Sequence, residues 1–102
     1  MGELWKYHKP ENWQYFLSNV VPVEFEKNIS FYEEIKKTKL FPDDIYKVLA
    51  TLSDFMFHRK LEEYELWLTT CSPIFNDKTP IEIINQPHGI EWLKEYLLRY
   101  PK

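Results

Sequence analysis

The three histidines and the single cysteine of this 102-residue chain are the side chains with the widest chemical repertoire. His8, His58 and His88 stand far apart, and none has a second histidine four residues away, the spacing that places two metal ligands on one helix face. Cys71 has no histidine near it in the sequence, so we interpret it as a small buried residue and not as a nucleophile. These residues predict no metal site, no thiol catalyst and no cofactor.

Carboxylates suited to acid–base chemistry cluster at Glu62, Glu63 and Glu65. Consecutive charged residues of a helix do not share a face, so we interpret this cluster as a solvated surface. The chain has two glycines, too few for a phosphate-binding loop. The sequence therefore predicts a protein that is not an enzyme and leaves open only a cleft built from residues distant in the sequence.

The charge balance argues against nucleic acid as a partner. Thirteen Lys and Arg against sixteen Asp and Glu give a net charge of −3, and an acidic excess repels phosphate backbones and anionic membranes. The one basic cluster, Lys36, Lys37 and Lys39, lies at a predicted helix end, where lysines stabilise the helix dipole. No segment has the pattern of a signal peptide or a membrane span. We therefore expect a cytoplasmic protein that binds neither nucleic acid nor membranes.

Aromatic residues indicate a binding role. The chain carries four Trp and seven Tyr, residue types that are enriched at the centres of protein–protein interfaces. In a domain of this size the same rings also fill the core, and we expect Trp13 and Phe55 to do so. The composition therefore favours a binding protein over an enzyme.

The elements that must position these residues are helices, because apolar residues recur mostly at helical spacing. The pattern predicts helices over residues 10–19, 30–40, 42–56, 61–71, 79–84 and 89–100. Ser30 and Thr79 each precede a glutamate by three residues, which predicts two capping boxes. Residues 20–26, interrupted by Pro22, predict an extended connector. We expect an all-α fold of five to six short helices, with residues 1–41 packing on residues 42–101 in a single domain.

The second half of the chain carries an ordered set of motifs. It reads Leu66-Trp67-Leu68, then Ser72-Pro73, then Thr79-Pro80-Ile81-Glu82-Ile83-Ile84, then Gly89 before an apolar last helix. This order resembles the toxin-binding domain of Xre/MbcA/ParS antitoxins over residues 42–101. In those domains a Trp-Leu ends a helix, a Thr-Pro opens a short helix and a glycine precedes the last one. Their N-terminal DNA-binding helix-turn-helix has no counterpart in residues 1–41.

The resemblance implies a non-enzymatic bacterial antitoxin of a toxin–antitoxin system. Such a protein binds and blocks a cognate toxin, often one whose RES domain consumes NAD. The docking surface that we expect from it comprises Trp67, Trp92, Tyr96, Arg99, Tyr100, Pro101 and Lys102. Trp92 and Tyr96 are four residues apart and off the apolar stripe of the last helix. They form either an exposed aromatic pair or a contact with Trp5 or Tyr7.

A second interpretation does not use the resemblance. An immunity-type or adaptor protein from a mobile element would use its acidic charge to bind a basic partner. The sequence leaves open whether the chain forms a homo-oligomer. Both interpretations require a helical surface that docks onto another polypeptide.

Overall fold

A computed structural model describes residues 3–100, which form helices and contain no strand. The α-helices are α1 (Pro10–Asn19), α2 (Val21–Glu24), α3 (Ile29–Ile35), α4 (Asp43–Thr51), α5 (Ser53–Met56), α6 (Leu61–Leu68), α7 (Pro80–Ile83) and α8 (Gly89–Leu98). Turns of 3₁₀ helix cover Leu4–Tyr7, Phe25–Asn28, Lys36–Thr38 and Pro73–Phe75. The predicted all-α class is confirmed. The five helices of seven or more residues, with the predicted short helix α7, make up the six that were expected.

Helix α1 has the predicted bounds, because Pro10 in its first turn has no N–H that needs a partner. Its residue Trp13 is 1% exposed, as expected for a core residue. The Trp13 indole Nε1 donates a 2.8 Å hydrogen bond to the Asp44 carboxylate in the first turn of α4. This bond satisfies a buried donor and fixes α1 against the central helix.

Helix α4 forms the centre of the core. Ile45, Val48 and Leu49 are fully buried and follow the predicted stripe. The helix does not continue to residue 56, because Leu52 adopts φ −91° and ψ 4° and a separate helix, α5, begins at Ser53. Beyond this break the helical spacing no longer applies, and Phe55 is 60% exposed. The expectation that Phe55 lies in the core is therefore wrong.

The segment between α1 and α3 also differs from the prediction. Residues 20–26 are helical and not extended, because Pro22 stands in the first turn of α2, where a missing N–H is tolerated. Helix α3 begins at Ile29 with Asn28 at its N-cap, so Ser30 lies inside the first turn and forms no capping box. The helix ends at Ile35, earlier than expected, and a 3₁₀ turn follows.

The end of α6 corrects the interpretation of the cysteine. The helix stops at Leu68, where the hydroxyls of Thr69 and Thr70 donate to the Leu66 carbonyl at 3.3 and 2.6 Å. Cys71 lies beyond this end and is exposed, not buried. Threonine side chains that hydrogen-bond to backbone carbonyls compete with continuation of a helix. The apolar spacing alone therefore did not predict that α6 ends before Cys71.

A buried polar network holds the loop before α4. The Tyr46 hydroxyl accepts hydrogen bonds from the backbone N–H groups of Leu40 and Phe41 at 2.6 and 3.0 Å. Thr38 shares hydrogen bonds of 2.9 Å with the hydroxyls of Tyr46 and Tyr64. Burial raises the pKa of the Tyr64 phenol, which therefore stays protonated and available to this network.

Helices α7 and α8 match the sequence signals. Thr79 Oγ1 accepts from the Glu82 N–H at 3.1 Å, and Glu82 Oε1 accepts from the Thr79 N–H at 2.9 Å, so this capping box is confirmed. Gly89 then begins α8 directly against α7. A Cβ atom added at Gly89 would lie 1.9 Å from the Ile83 carbonyl oxygen. The close approach of the two helices therefore requires glycine at this position.

Gly89→Ala tests this contact. Alanine favours a helix over glycine by about 1 kcal/mol, so helix propensity alone predicts stabilisation. We expect the opposite, a loss of about 3 kcal/mol of unfolding free energy in urea, because the clash is with backbone and not with a flexible side chain. Glu91→Ala, an exposed change in the same helical turn, is the control and stays within about 0.5 kcal/mol. Equal stability of the two variants would contradict the contact.

Acid sensitivity is expected from Asp43, whose carboxylate accepts a hydrogen bond from the Tyr32 hydroxyl. This bond, and then Lys47, holds the pKa of Asp43 below its usual value of 3.8, although partial burial opposes them. A carboxyl group whose pKa is lower in the folded than in the unfolded protein stabilises the fold at pH values above its unfolded pKa. This contribution disappears as the pH falls through the pKa of the group in the folded protein. Tyr32→Phe therefore loses more unfolding free energy at pH 7 than at pH 2 in urea titrations. Tyr15→Phe, at an exposed tyrosine, loses the same small amount at both.

Candidate functional site

The structure brings three of the predicted surface residues into one open groove. Tyr96, Arg99 and Tyr100 line it together with Ile74, and its volume is about 310 Å³. Ile74 comes from the 3₁₀ turn before α7, Tyr96 comes from the end of α8, and Arg99 and Tyr100 are the two residues that follow α8. Pro101 and Lys102, the last two predicted residues, lie outside the described part of the chain.

Trp92 does not belong to the exposed surface. It is 5% exposed, packs edge-on against Phe75 with ring centroids 6.5 Å apart, and donates from Nε1 to the Ile74 carbonyl at 2.8 Å. The predicted exposed pair with Tyr96 is therefore wrong, because Trp92 is buried. Because Trp92 follows Gly89 by less than one turn, the contact that seats α8 also turns this ring inward. Trp92 holds Ile74 in the wall of the groove.

Tyr96 and Trp67 are both half-buried. The Tyr96 ring lies 5.1 Å from Phe75 and 6.0 Å from Tyr100, so it connects the core to the groove. Burial raises the pKa of the Tyr96 phenol, and the adjacent Trp67 side chain acts in the opposite direction. Trp67 also packs against Phe57, with ring centroids 5.5 Å apart. Trp67 therefore supports Tyr96 from the core side.

Arg99 is held by a buried carboxylate. Its Nε donates to Glu95 Oε2 at 2.7 Å, and the guanidinium lies over the Tyr7 ring, 5.8 Å from its centroid. The other Glu95 oxygen lies 3.3 Å from His8 Nδ1. The side chains of Glu95 and His8 are only 9% and 5% exposed. This arrangement fixes the direction of Arg99 and attaches the N-terminal turn to α8.

The sequence interpretation missed this network. His8 and Glu95 are 87 residues apart, and no local pattern connects them. The spacing of Glu95 and Arg99 by four residues was a usable signal for their ion pair. It does not reveal that the carboxylate is buried.

A second groove of about 370 Å³ begins at Tyr100 and runs between α1 and α5. Its apolar lining consists of Phe16, Val20, Leu52, Phe55 and Tyr100. Tyr100 lines both grooves, and we call the two together the C-terminal groove, which comprises Phe16, Val20, Leu52, Phe55, Ile74, Tyr96, Arg99 and Tyr100. The lining residues other than Tyr100 were not predicted, because only the fold brings them next to Tyr100.

Two carboxylates border this second groove. Glu24 pairs with Lys27 at 3.3 Å, and Asp54 pairs with Arg59. Arg59, and to a smaller degree Lys27, hold the pKa of Asp54 below its usual value, although desolvation opposes them. The Asp54 carboxylate is therefore ionised at neutral pH, and both carboxylates are paired with cations of the same chain.

The other chemically versatile residues do not converge. Within residues 3–100, no group of three or more His, Cys, Asp or Glu side chains is arranged to hold a metal ion. His88 is stacked on Trp5 with ring centroids 3.9 Å apart. Lys36 and Lys37 pair with Glu33 and Glu34 at 3.0 and 3.2 Å, so the basic cluster is largely neutralised.

The arrangement of the C-terminal groove suits contact with apolar side chains.

Similarity to known proteins does not assign the chain to a family, since no family model, curated protein or solved structure matches it. Among the helices that the structure describes, none combines the length and the apolar character that crossing a bilayer requires. A functional proposal therefore depends on the C-terminal groove and on the order of motifs in the sequence.

Glu95→Gln tests the role of the buried carboxylate. The amide keeps the shape of the side chain but loses the charge-assisted hydrogen bonds to Arg99 and His8. We expect a loss of about 1.5 kcal/mol in unfolding free energy, together with faster hydrogen exchange in residues 4–8. Glu91→Gln, at an exposed glutamate of the same helix, is the matched control and leaves both unchanged. A Glu95→Gln variant as stable and as protected as this control would show that the network does not attach the N-terminal turn.

Proposed function

We propose that this chain is a non-enzymatic protein-binding module, antitoxin-like, which docks through the C-terminal groove onto a cognate toxin and blocks it. The observation that carries the proposal is that Tyr96, Arg99 and Tyr100, expected from the resemblance to antitoxin domains, line one open groove. The groove continues to Phe55, a ring that is 60% exposed. The proposal includes the cytoplasmic location expected from the sequence.

The composition of the groove supports protein binding. Tyrosine and arginine are the residue types that most often contribute large shares of binding energy, especially when apolar neighbours surround them and exclude water. Ile74 lines the groove beside Tyr96, Arg99 and Tyr100, and Phe55 lines the second groove beside Tyr100. A contiguous apolar surface of this kind is typical of an interaction site.

Preorganisation is the second support. The Arg99 side chain is 43% exposed, yet Glu95 and Tyr7 already fix its direction. Tyr96 is packed on Phe75. Side chains that are ordered before binding lose little conformational entropy in the complex, so more of the contact energy appears as affinity. In this proposal the helical surface covers the entrance of the toxin, and inhibition is steric.

A second candidate, an immunity-type or adaptor protein with a basic partner, is favoured by one observation. Glu62, Glu63 and Glu65 are exposed on α6 and form no ion pair with any residue that the structure describes. Exposed carboxylates that lack a cation of their own chain attract a basic protein and accelerate its association. Substitution of all three by glutamine separates the candidates. It slows association with a basic partner and leaves binding through the C-terminal groove unchanged.

The decisive experiment uses the protein encoded next to this chain in its genome. We expect co-expression to relieve the growth arrest and NAD loss caused by that protein, and the purified pair to bind in calorimetry. Tyr100→Ala weakens the complex at least about 30-fold, the effect of losing an interface anchor worth about 2 kcal/mol. Tyr15→Ala removes an exposed tyrosine on α1 that lies outside the groove, and affinity is unchanged.

Two results would reject this proposal. One is toxicity of the neighbouring protein that co-expression leaves undiminished. The other is a complex that Tyr100→Ala and Tyr15→Ala weaken equally, because such a complex does not use the C-terminal groove.

A further inference from the structure

The N-terminal turn (Leu4–Tyr7) packs on α8 and is attached near both ends of that helix. Just before α8, the His88 ring stacks on Trp5 with ring centroids 3.9 Å apart. Near the C-terminal end of α8, Glu95 Oε1 lies 3.3 Å from His8 Nδ1. The His8 N–H also donates to the Trp5 carbonyl at 3.2 Å and so caps the turn. Two side-chain contacts therefore anchor the turn at the two ends of this helix.

Arg99 connects this attachment to the C-terminal groove. Its side chain lines the groove beside Tyr100, at the position that follows α8. Its guanidinium lies over the Tyr7 ring, 5.8 Å from the centroid, and its Nε donates to Glu95 Oε2 at 2.7 Å. Two paths therefore lead from the groove to the N-terminal turn. One is the direct contact with Tyr7, and the other passes through Glu95 to His8.

The contact between Tyr7 and Arg99 adds little to the core. Tyr7 is 63% exposed, so its ring removes only a small apolar area from water. A cation over the face of an aromatic ring is attracted by the ring, and this attraction limits where the cation can move. The main effect of Tyr7 is therefore to restrain the Arg99 side chain.

We propose that the N-terminal turn is a positioning element of the C-terminal groove: Tyr7 and His8 hold Arg99 in one arrangement, and attachment of the turn and binding of the partner stabilise each other. This inference rests on the proposed function, since the partner is the one that docks on the groove. Linkage makes the effect reciprocal, so the attached turn raises the affinity for the partner by the same factor by which the bound partner favours attachment. The groove has its full affinity only while the turn is attached.

The two contacts from the turn are lost together, because Tyr7 and His8 are consecutive residues. Detachment removes the ring beside Arg99 and, in the same step, the partner of Glu95 Oε1. A carboxylate can bind an arginine through both of its oxygens, so Glu95 then takes Arg99 in a two-point contact in place of the single bond through Nε. The Arg99 side chain thus has two arrangements, and the turn selects between them.

The positioning role is tested in the free protein with Tyr7→Leu and Tyr7→Phe. Leucine removes the aromatic ring and phenylalanine keeps it, and the exposed position tolerates both. Two NMR signals of ¹⁵N-labelled protein report on the groove: the Arg99 Nε–H and the Tyr100 amide, which donates to the Leu97 carbonyl at 3.2 Å. We expect both to exchange with solvent at least about threefold faster in Tyr7→Leu, the factor that a cation–π contact at an exposed site provides. Tyr7→Phe and Tyr15→Leu, the latter at an exposed tyrosine of α1, exchange like the wild type.

The coupling is tested with the protein encoded next to this chain, in calorimetry. His8→Ala removes the group that faces Glu95, and we expect binding at least about threefold weaker, as for a lost hydrogen bond. His8→Asn keeps an N–H donor near the position of Nδ1 and restores most of the affinity, which a merely structural role would not require. In hydrogen exchange, the bound partner slows the amides of Lys6 and His8, which donate within the turn.

The outcomes separate this inference from the proposed function. Equal exchange in Tyr7→Leu and Tyr7→Phe overturns the positioning role, and this result needs no partner. Binding that depends on Tyr100 but not on Tyr7 or His8 keeps the proposed function and rejects the coupling. A bound partner that leaves the amides of the turn unchanged also rejects the coupling, because linkage acts in both directions. A neighbouring protein that does not bind the wild type rejects the proposed function, and exchange in the free protein then decides the positioning role.

Discussion

The buried carboxylate of Glu95 is the interaction on which the C-terminal groove depends. It receives Arg99 from its own helix and faces His8 from the opposite end of the chain, so one side chain joins both ends of the fold. A carboxylate that leaves water must be paired, because isolated burial of its charge is strongly unfavourable. The pairing therefore fixes the last turn of α8, and Arg99 and Tyr100 can occupy only a narrow range of positions.

The other end of α8 is constrained by backbone packing. Gly89 lets α7 approach so closely that no side chain fits between them. Trp92, in the turn that follows, points inward and bonds to the Ile74 carbonyl. The position of α8 in the wall of the groove is thus determined at its N-terminal end by Gly89, which has no side chain, and at its C-terminal end by the buried carboxylate of Glu95. Its rigidity is a consequence of packing in the core and does not require bonds within the groove itself.

Local signals predicted the parts of the fold that depend on local physics. The Thr79 capping box and the all-α class follow from a side chain bonding to its own helix turn and from apolar periodicity. Phe55 was misplaced because one residue, Leu52, leaves the helical region and ends the periodicity. Trp92 was misplaced because its inward direction depends on the seating of α8 against α7. The second half of the groove was missed because its residues meet Tyr100 only after folding.

The placement of charge explains why shape, rather than electrostatics, would select a partner in the groove. The carboxylates of Glu24 and Asp54 are already paired with cations from the same chain. Exposed ion pairs of this kind contribute little free energy, so exchanging one of these cations for a cation of a partner gains little affinity. A basic partner would have to displace Lys27 and Arg59, which are tethered nearby and therefore compete effectively. An apolar partner meets no such competition, because Phe55 and Tyr100 gain only by leaving water. The ion pairs then form a neutral border on the polar side of the groove.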